Sequence, residues 1–253
     1  MLIKKIKLLN YRNYSNEEIN FCKDVNILYG DNAQGKTNVL ESIFLCGTAR
    51  SHQGSKDREI IKIGEEEAHI KMFIEKEGLE HKIDMHLKKN KSKGIAINGI
   101  PIKKLSELVG FVNMIFFSPE DLNLIKNGPS ERRRFMDTEL CQLDKIYLDN
   151  LKKYNKVLDQ RNRLLKQIKY DQSLIQTLQA WDYQLIAYGR KIISARNEFI
   201  NQIKIAAEDT HCKLTGNREK LVITYDHDVS EEEFEEKLEK SVERDINYQT
   251  THV

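Results

Sequence analysis

One stretch, residues 30–37, constrains the fold of this 253-residue chain more than any other. It reads Gly-Asp-Asn-Ala-Gln-Gly-Lys-Thr and fits the pattern Gly-x-x-x-x-Gly-Lys-Ser/Thr, whose backbone amides enclose nucleotide phosphates. Gly30 and Gly35 let the backbone turn with positive φ and approach the phosphates without an intervening Cβ. The spacing predicts Lys36 on the β- and γ-phosphates and the Thr37 hydroxyl on Mg²⁺.

The residues on either side of this loop predict a strand before it and a helix after it. Residues 25–29 form a short apolar segment that is typical of a buried strand. Residues 37–45 carry apolar side chains at the spacing of a helix. Strand, glycine loop and helix in this order favour a true phosphate loop over a glycine-rich turn that matches by chance.

The composition is that of a globular protein without a general attraction to polyanions. The net charge is only +2 although 32% of the residues are charged, so any nucleic-acid patch has to be local. The cysteines are scattered without zinc-binding spacing, which predicts reduced thiols in a cytoplasmic protein. No apolar run approaches the length needed to span a membrane. The cysteines are Cys22, Cys46, Cys141 and Cys212.

Alternation of apolar and polar residues predicts an N-terminal set of strands. It occurs in residues 2–9, near Ile19 and Phe21, and again in residues 68–75 and 81–87. The dipeptide at 98–99, Asn-Gly, is a hairpin turn signal.

Two groups of side chains on these strands are candidates for binding. Three histidines lie there without the spacing or acidic neighbours of a metal site, so we predict none. Four lysines at a hairpin tip are more typical of a solvated edge than of a DNA contact. The histidines are His69, His81 and His86, and the lysines are Lys88, Lys89, Lys91 and Lys93.

The second half of the chain is predominantly helical. Residues 112–117 predict a strand that ends at a helix capped by Ser118, and residues 132–134, all arginine, begin a second helix. Residues 138–211 carry two long apolar stripes with a break near residues 170–173, which predicts an antiparallel helical hairpin. A further strand at residues 221–225 precedes an acidic helix with a Ser230–Glu233 capping box.

A phosphate-loop ATPase also needs an aspartate at the end of an apolar strand to hold Mg²⁺. Two places offer one: Asp226 is followed by His227 where a catalytic acid is needed, and Glu120 with Asp121 follows a proline that begins a helix. Neither satisfies the requirement, so the catalytic apparatus is expected to be incomplete.

Several motifs in chain order resemble the RecF family of bacterial recombination-repair ATPases. They are residues 9–14 (Leu-Asn-Tyr-Arg-Asn-Tyr), residues 30–41, residues 50–52 (Arg-Ser-His), Asn98-Gly99, residues 117–122 (Phe-Ser-Pro-Glu-Asp-Leu), Gly128-Pro129 and residues 132–137 (Arg-Arg-Arg-Phe-Met-Asp). The resemblance covers the whole chain. It implies an α/β fold, with a P-loop ABC-type ATPase lobe built on a mixed sheet and an α-helical lobe that carries a projecting antiparallel hairpin.

Domain limits and site residues follow from the same resemblance. Residues 1–128 and 217–253 are expected to form the ATPase lobe and residues 129–216 the helical lobe. ATP and Mg²⁺ are the implied cofactors, with Lys36 as the catalytic residue and Thr37 as the Mg²⁺ ligand. The expected nucleotide-binding residues are Arg12, Gly30, Asp31, Asn32, Ala33, Gln34, Gly35, Lys36, Thr37 and Asn38.

The resemblance also implies partners and a role in the cell. The family binds single- and double-stranded DNA at gaps, pairs two heads through ATP, and helps RecO and RecR to load the recombinase during repair in the DNA-damage (SOS) response. Because the family continues beyond a Thr-His-Val segment like residues 251–253, the chain is expected to be an N-terminal fragment that binds nucleotide without efficient hydrolysis. The alternatives are a P-loop kinase of small molecules and an interaction module that does not hydrolyse ATP.

Overall fold

The computed structural model describes residues 1–252, without the side chains of Glu120 and Asn123. The side chain of Glu120, one of the candidate magnesium acids, and the last residue of the Thr-His-Val segment therefore lie outside the described residues. The chain divides into two compact units, Met1–Asp121 and the residues from Leu122 onward. The assignment of residues 217–253 to the ATPase lobe remains a proposal.

The first unit is built on a six-stranded sheet with the order β2-β1-β3-β4-β5-β6. All five strand pairs in its described part are antiparallel. Asn98 and Gly99 have φ angles of 53° and 82° and form the predicted two-residue turn between β5 and β6. The strands are β1 (Leu2–Tyr11), β2 (Tyr14–Asn20), β3 (Glu67–Lys76), β4 (Leu79–Lys88), β5 (Lys91–Ile97) and β6 (Ile100–Pro101).

One face of this sheet forms the core of the first unit. Side chains alternate across a strand, so alternate residues along most of β3 and in parts of β1 and β4 are buried, whereas the residues between them are partly or fully exposed. Helix α1 (Lys36–Thr48) contributes Leu45 and Cys46 to the same cluster. A short helix α2 (Asp57–Ile60) adds Ile60. The buried sheet residues include Ile6, Leu8, Ile70, Met72, Ile83 and Met85.

Three apolar segments that the sequence predicts as strands are not strands in the described structure. Residues 25–29 belong to no strand ladder, and Val25, Ile27 and Tyr29 are 79%, 78% and 90% exposed. Residues 113–117 and 221–225 are likewise outside every ladder, and Val112 forms only an isolated bridge. These predictions were wrong because a strand requires a hydrogen-bonding neighbour, which an apolar pattern does not supply.

The second unit is helical. The 3-10 helix Gln172–Leu174 lies in the reversal between the two longest α-helices, whereas the 3-10 helices Leu105–Glu107 and Pro119–Leu122 lie in the first unit and at its end. Among the described residues there is no helix long and apolar enough to cross a membrane. The α-helices from residue 122 onward are α3 (Asn123–Lys126), α4 (Pro129–Leu143), α5 (Lys145–Ile168), α6 (Ile175–Thr215) and α7 (Phe234–Tyr248).

Helices α5 and α6 form the predicted antiparallel hairpin. Three contacts join the helices: Val157 clusters with Leu185, Arg161 bonds to Asp182, and Leu165 clusters with Leu178. Because residue numbers rise along α5 as their partners' numbers fall along α6, the two helices are antiparallel. At 1.5 Å per residue, the 41 residues of α6 extend over roughly 60 Å.

The helix starts agree largely with the capping signals of the sequence. The Ser118 amide donates to Asp121 Oδ2 (2.6 Å) where Pro119–Leu122 begins. The Ser230 hydroxyl accepts from the Glu233 amide (3.2 Å) just before α7. Helix α4 begins at Pro129, with Gly128 as its N-cap, and proline is favoured in the first turn of a helix.

Candidate nucleotide-binding site

The phosphate loop is a backbone turn that presents free amides at the start of α1. Gly30, Ala33 and Gly35 have φ angles of 139°, 63° and 102°, which curl residues 30–35 back on themselves. Gly35 is the N-cap of α1 and has no side chain to bond to the first helical amides. Those amides and the helix dipole therefore remain available to an anion.

Lys36 closes the loop over its own backbone. Its Nζ donates to the carbonyl oxygens of Gly30 (2.7 Å) and Asp31 (2.6 Å). The ammonium group therefore lies across the turn that a phosphate would enter, where it can exchange these carbonyls for phosphate oxygens. Thr37 is exposed in the first turn of α1, and its role as a Mg²⁺ ligand remains a prediction.

The turn between β1 and β2 is hydrogen-bonded to the phosphate loop and to the first turn of α1. Asn13 Nδ2 donates to the Gln34 carbonyl (3.2 Å), and Asn38 Nδ2 donates to Asn13 Oδ1 (2.8 Å). A Cβ at Gly35 would lie 2.7 Å from Asn13 Nδ2 and 2.8 Å from the Tyr14 hydroxyl. Asn13 and Tyr14 thus require glycine at this position. The sequence motif alone gives no sign of their role.

Arg12, which the resemblance assigns to the nucleotide, is bound to the protein in this structure. Its Nε and Nη2 donate to the two carboxylate oxygens of Glu41, each at 2.9 Å. Nη2 also donates to Ser55 Oγ (2.8 Å), and Nη1 donates to the Glu59 carbonyl (3.0 Å). A contact between Arg12 and nucleotide remains a prediction, which would require one of these bonds to be exchanged.

Glu41 is the buried centre of this cluster. It lies on the face of α1 that apolar residues would otherwise occupy, and only 1% of it is exposed. The Tyr11 hydroxyl (3.3 Å) and the Ser51 hydroxyl (2.5 Å) also donate to it, so its two oxygens accept four or more bonds. A charge is tolerated there because every oxygen has partners.

These contacts change the ionisation of the neighbouring groups. Burial raises the pKa of the Tyr11 hydroxyl, and the nearby Glu41 carboxylate raises it further. Burial opposes the charge of Arg12, but its hydrogen bonds and attraction to Glu41 outweigh that effect, so the pKa of Arg12 is raised. The raised pKa values favour the neutral form of Tyr11, which can donate its proton to a hydrogen bond, and the charged form of Arg12.

Two of the candidate magnesium acids, Asp121 and Asp226, lie in different units of the chain. Asp121 accepts the Ser118 amide and so serves as a helix cap. Asp226 lies in the second unit, within a segment that belongs to no strand ladder.

Three of the four candidate DNA-binding lysines at the hairpin tip are paired with acidic side chains. Lys88 lies 3.5 Å from Glu67, Lys89 lies 2.7 Å from Glu66, and Lys93 lies 2.7 Å from Asp57. Lys91 is exposed. Such pairing lowers the positive potential of the hairpin tip.

The triple arginine is open to solvent. All three side chains are exposed, and Arg132 Nη1 donates to the carbonyl of Asn127 (3.0 Å). Asp137, an acid close to these arginines in the sequence, accepts bonds from Arg196 (2.7 Å) and Tyr147 (2.5 Å).

Comparison with known proteins assigns the class suggested by the phosphate loop. A family model described as "AAA domain" matches residues 5–249. Fold and loop together define a P-loop ATPase domain of the ABC type, as the sequence predicts.

The relatives identify the family within that class. Over its whole length the chain is 58% identical to DNA replication and repair protein RecF of Lachnoclostridium phytofermentans, and it spans 70% of that protein. RecF of Agathobacter rectalis is 58% identical over 252 residues, again with 70% of its length covered. The chain belongs to the RecF family.

Solved structures agree with this assignment. A structure described as that of the recombination mediator protein RecF-ATP in the RecFOR pathway superimposes with a TM-score of 0.91 at 34% identity, covering all of this chain and 70% of that one. The corresponding RecF-ATPrS structure gives 0.90 at 36% identity, with 99% of this chain and 70% of that one covered. These matches leave the alternative of a small-molecule kinase without support.

Proposed function

We propose that residues 30–38 bind ATP with Mg²⁺ and that the chain acts as an ATP-dependent DNA-binding component of recombinational repair and replication restart. The observation that carries this proposal is the loop geometry: free amides at the start of α1, with Lys36 held across the turn. The solved structure of a RecF-ATP relative, with the same fold, supports the choice of nucleotide.

The assembly steps belong to the same proposal. ATP pairs two heads on DNA at single-strand gaps, and RecO and RecR then help to load the recombinase. The protein acts in the cytoplasm. Membership of the RecF family supports these steps, as does a relative of known structure that is described as a recombination mediator of the RecFOR pathway.

We infer that this chain alone binds nucleotide without efficient turnover, and its exposed apolar segments support that inference. Ile115 and Phe117 are 92% and 78% exposed, and residues 25–29 are similarly open. The matched relatives contain a further part, about 30% of their length, that has no counterpart here. We assign the missing neighbours of these segments, together with the acids that direct hydrolysis, to that part.

Nucleotide binding is tested directly with a fluorescent ATP analogue. Wild-type chain should bind it in the presence of Mg²⁺. Lys36→Ala should weaken binding at least tenfold, since a lost charged hydrogen bond costs about 1.5–3 kcal/mol. Lys23→Ala, at an exposed lysine outside the loop, is the matched control. Equal affinities for Lys36→Ala and wild type would remove the loop from the site.

Hydrolysis is measured separately by phosphate release. We expect no turnover above background from this chain. Robust turnover that disappears in Lys36→Ala would overturn the assignment of the hydrolytic acids to the missing part, while leaving nucleotide binding intact.

DNA contact is tested through its dependence on salt. Each phosphate neutralised contributes about −0.9 to the slope of log affinity against log salt concentration. Because Arg133 and Arg134 are exposed whereas Lys89 is paired with Glu66, the double substitution Arg133→Ala/Arg134→Ala should reduce the slope and Lys89→Ala should not. A wild-type affinity for DNA that does not change with salt concentration would argue against phosphate contacts by the arginines at residues 132–134 and by the hairpin-tip lysines.

A further inference from the structure

Three side chains that bind metals meet on the solvent face of the sheet, away from the phosphate loop. His69 of β3 and His86 of β4 are directly opposed in the strand register. Glu67 precedes His69 by two residues and therefore projects from the same face. The sequence analysis found no acidic neighbour of the kind a metal site needs; that expectation was wrong, because Glu67 and His86 are brought together through strand pairing.

The spacing of the donor atoms suits a single metal ion. His86 Nε2 lies 2.9 Å from Glu67 Oε2, and His69 Nε2 lies 3.8 Å from Glu67 Oε1. One ligand atom from each of the three residues lies within 4.8 Å of the other two. Two ligands of a tetrahedral Zn²⁺ with bonds of 2.0–2.1 Å are about 3.4 Å apart, between the two distances seen.

The two imidazoles are already arranged side by side. Their ring centroids are 4.0 Å apart and their planes differ by 19°. Opposed positions in an antiparallel pair hold Cβ atoms about 5 Å apart, so the strand register itself sets this separation. Little movement is needed to direct both Nε2 atoms at one ion.

The surroundings leave room for an ion and its water ligands. His86 pairs with Gly94 of β5, which has no side chain to cover that flank of the ring. All three side chains are partly exposed: 33% for each histidine and 48% for the glutamate. Lys88 Nζ, 3.5 Å from Glu67 Oε2, is the one cation near the carboxylate in the described residues, and its long side chain can swing into solvent.

We propose that Glu67, His69 and His86 bind one divalent transition-metal ion of the Zn²⁺ type, with water completing the coordination. Two imidazoles and one carboxylate are donors that Zn²⁺ accepts, whereas Mg²⁺ prefers oxygen ligands. The ion joins β3 to β4 across the outer face of the sheet. The site is independent of the proposed nucleotide site and of Mg²⁺ bound there.

Titration with ZnCl₂ tests the site in protein freed of metal with a chelator. The exposed thiol of Cys22 is first alkylated to remove a competing ligand. Calorimetry should then show one equivalent of bound Zn²⁺, and Zn²⁺ should raise the melting temperature because it binds the folded state. Absence of binding at millimolar Zn²⁺ would overturn the proposal.

Substitutions locate the ion. His69→Ala and His86→Ala should each weaken Zn²⁺ binding at least tenfold, and Glu67→Gln should weaken it by a smaller factor. His81→Ala is the matched control, because His81 lies on the same strand but projects from the opposite face and contacts Asn98 and Phe111. Undiminished binding in both His69→Ala and His86→Ala would place the ion elsewhere.

A spectroscopic measurement on the wild-type chain covers the case in which a histidine variant fails to fold. Paramagnetic Co²⁺ at substoichiometric concentration should broaden the ring resonances of His69 and His86 first and leave those of His81 sharp. Early broadening of His81, or of the histidines of the second unit instead, would refute the assignment.

Discussion

Arg12 and Glu41 form a two-pronged ion pair, in which two guanidinium nitrogens each lie 2.9 Å from a different carboxylate oxygen. The pair ties the turn after β1 to the helix that follows the phosphate loop. Only 2% of the Glu41 side chain and 18% of the Arg12 side chain are exposed. Removal of either partner therefore leaves a charge with little access to water.

We predict that Arg12→Ala lowers the free energy of unfolding by about 3 kcal/mol, the cost of leaving a buried carboxylate unpaired. Urea unfolding measures this change. Lys213→Ala is the control, because Lys213 forms an exposed pair with Asp209, and pairs of that kind contribute about 0.5 kcal/mol. An unchanged urea midpoint for Arg12→Ala would show that the pair is not structural.

Gly35→Ala should distort the phosphate loop. The new Cβ would meet Asn13 and Tyr14 at less than 3.0 Å and would force a non-glycine residue to adopt a φ of 102°. We expect a loss of about 1–3 kcal/mol in stability and a larger loss of nucleotide binding.

The variant Gly54→Ala distinguishes the effect of backbone strain from the effect of the collision with Asn13 and Tyr14. Gly54 also has positive φ (73°), but nothing lies within 4 Å of its Cβ position, so this variant carries the backbone strain without the collision. Comparable defects in nucleotide binding for the two variants would contradict a specific role for the contact with Asn13.

Arg161 fastens the end of the described chain to the helical hairpin. It is fully buried and donates to Asp182 (2.5 Å), Asp245 (2.6 Å) and Thr251 (2.8 Å). Its Nη2 is buried without a hydrogen-bond partner among the described residues. The Arg161 guanidinium is thus a buried charge that two carboxylates and one hydroxyl stabilise.

We predict that Arg161→Met destabilises the second unit by about 3–5 kcal/mol, because two carboxylates would lose their shared counter-ion. Arg163→Met, two residues along on the exposed side of α5, should change stability by less than about 0.5 kcal/mol. Thermal unfolding monitored by circular dichroism compares them. Similar melting temperatures for both variants would contradict the prediction.

The elements that depend on local signals could be predicted from the sequence. The Ser230 capping box, the Asn98-Gly99 turn and the stripes of the hairpin each involve residues close together in the chain. What depends on distant partners could not be predicted. The segments at 25–29 and 221–225 have a strand-like composition but no described neighbour.

The same distinction applies to the candidate sites. The phosphate loop is a contiguous motif, so its residues could be named from the sequence. Asn13 lies 21 positions from its partner Gln34, and Glu41 lies 29 positions from its partner Arg12. The cluster of Glu67, His69 and His86 depends on the register of two strands, which no single stretch specifies.

Glu139 should make stability depend on pH. Burial raises its pKa above the ordinary value of 4.5. At pH values between 4.5 and the folded-state pKa, the folded chain keeps the Glu139 proton that the unfolded chain has released. Its stabilising contribution is therefore complete below pH 4.5 and is lost as the pH rises through the folded-state pKa.

We predict that Glu139→Gln, which cannot ionise, becomes more stable relative to wild type as the pH rises from about 4 to about 7. Urea unfolding at a series of pH values measures the difference. Glu243→Gln, at an exposed glutamate of α7, should show a smaller trend. A difference for Glu139→Gln that stays constant with pH would contradict the burial of this carboxyl.

The pairing of β1 with β3 has a consequence for the order of folding. Leu9 and His69 are neighbours in the sheet, and the phosphate loop lies in the connection between them. The β3–β4 hairpin can close over a two-residue turn, whereas the β1–β3 pair must first close a loop of about sixty residues, at an entropic cost of about 3–4 kcal/mol. We therefore expect the β3–β4 hairpin to form before the β1–β3 pair, and the connection that carries the phosphate loop to be fixed at both ends only when this slower pairing is complete.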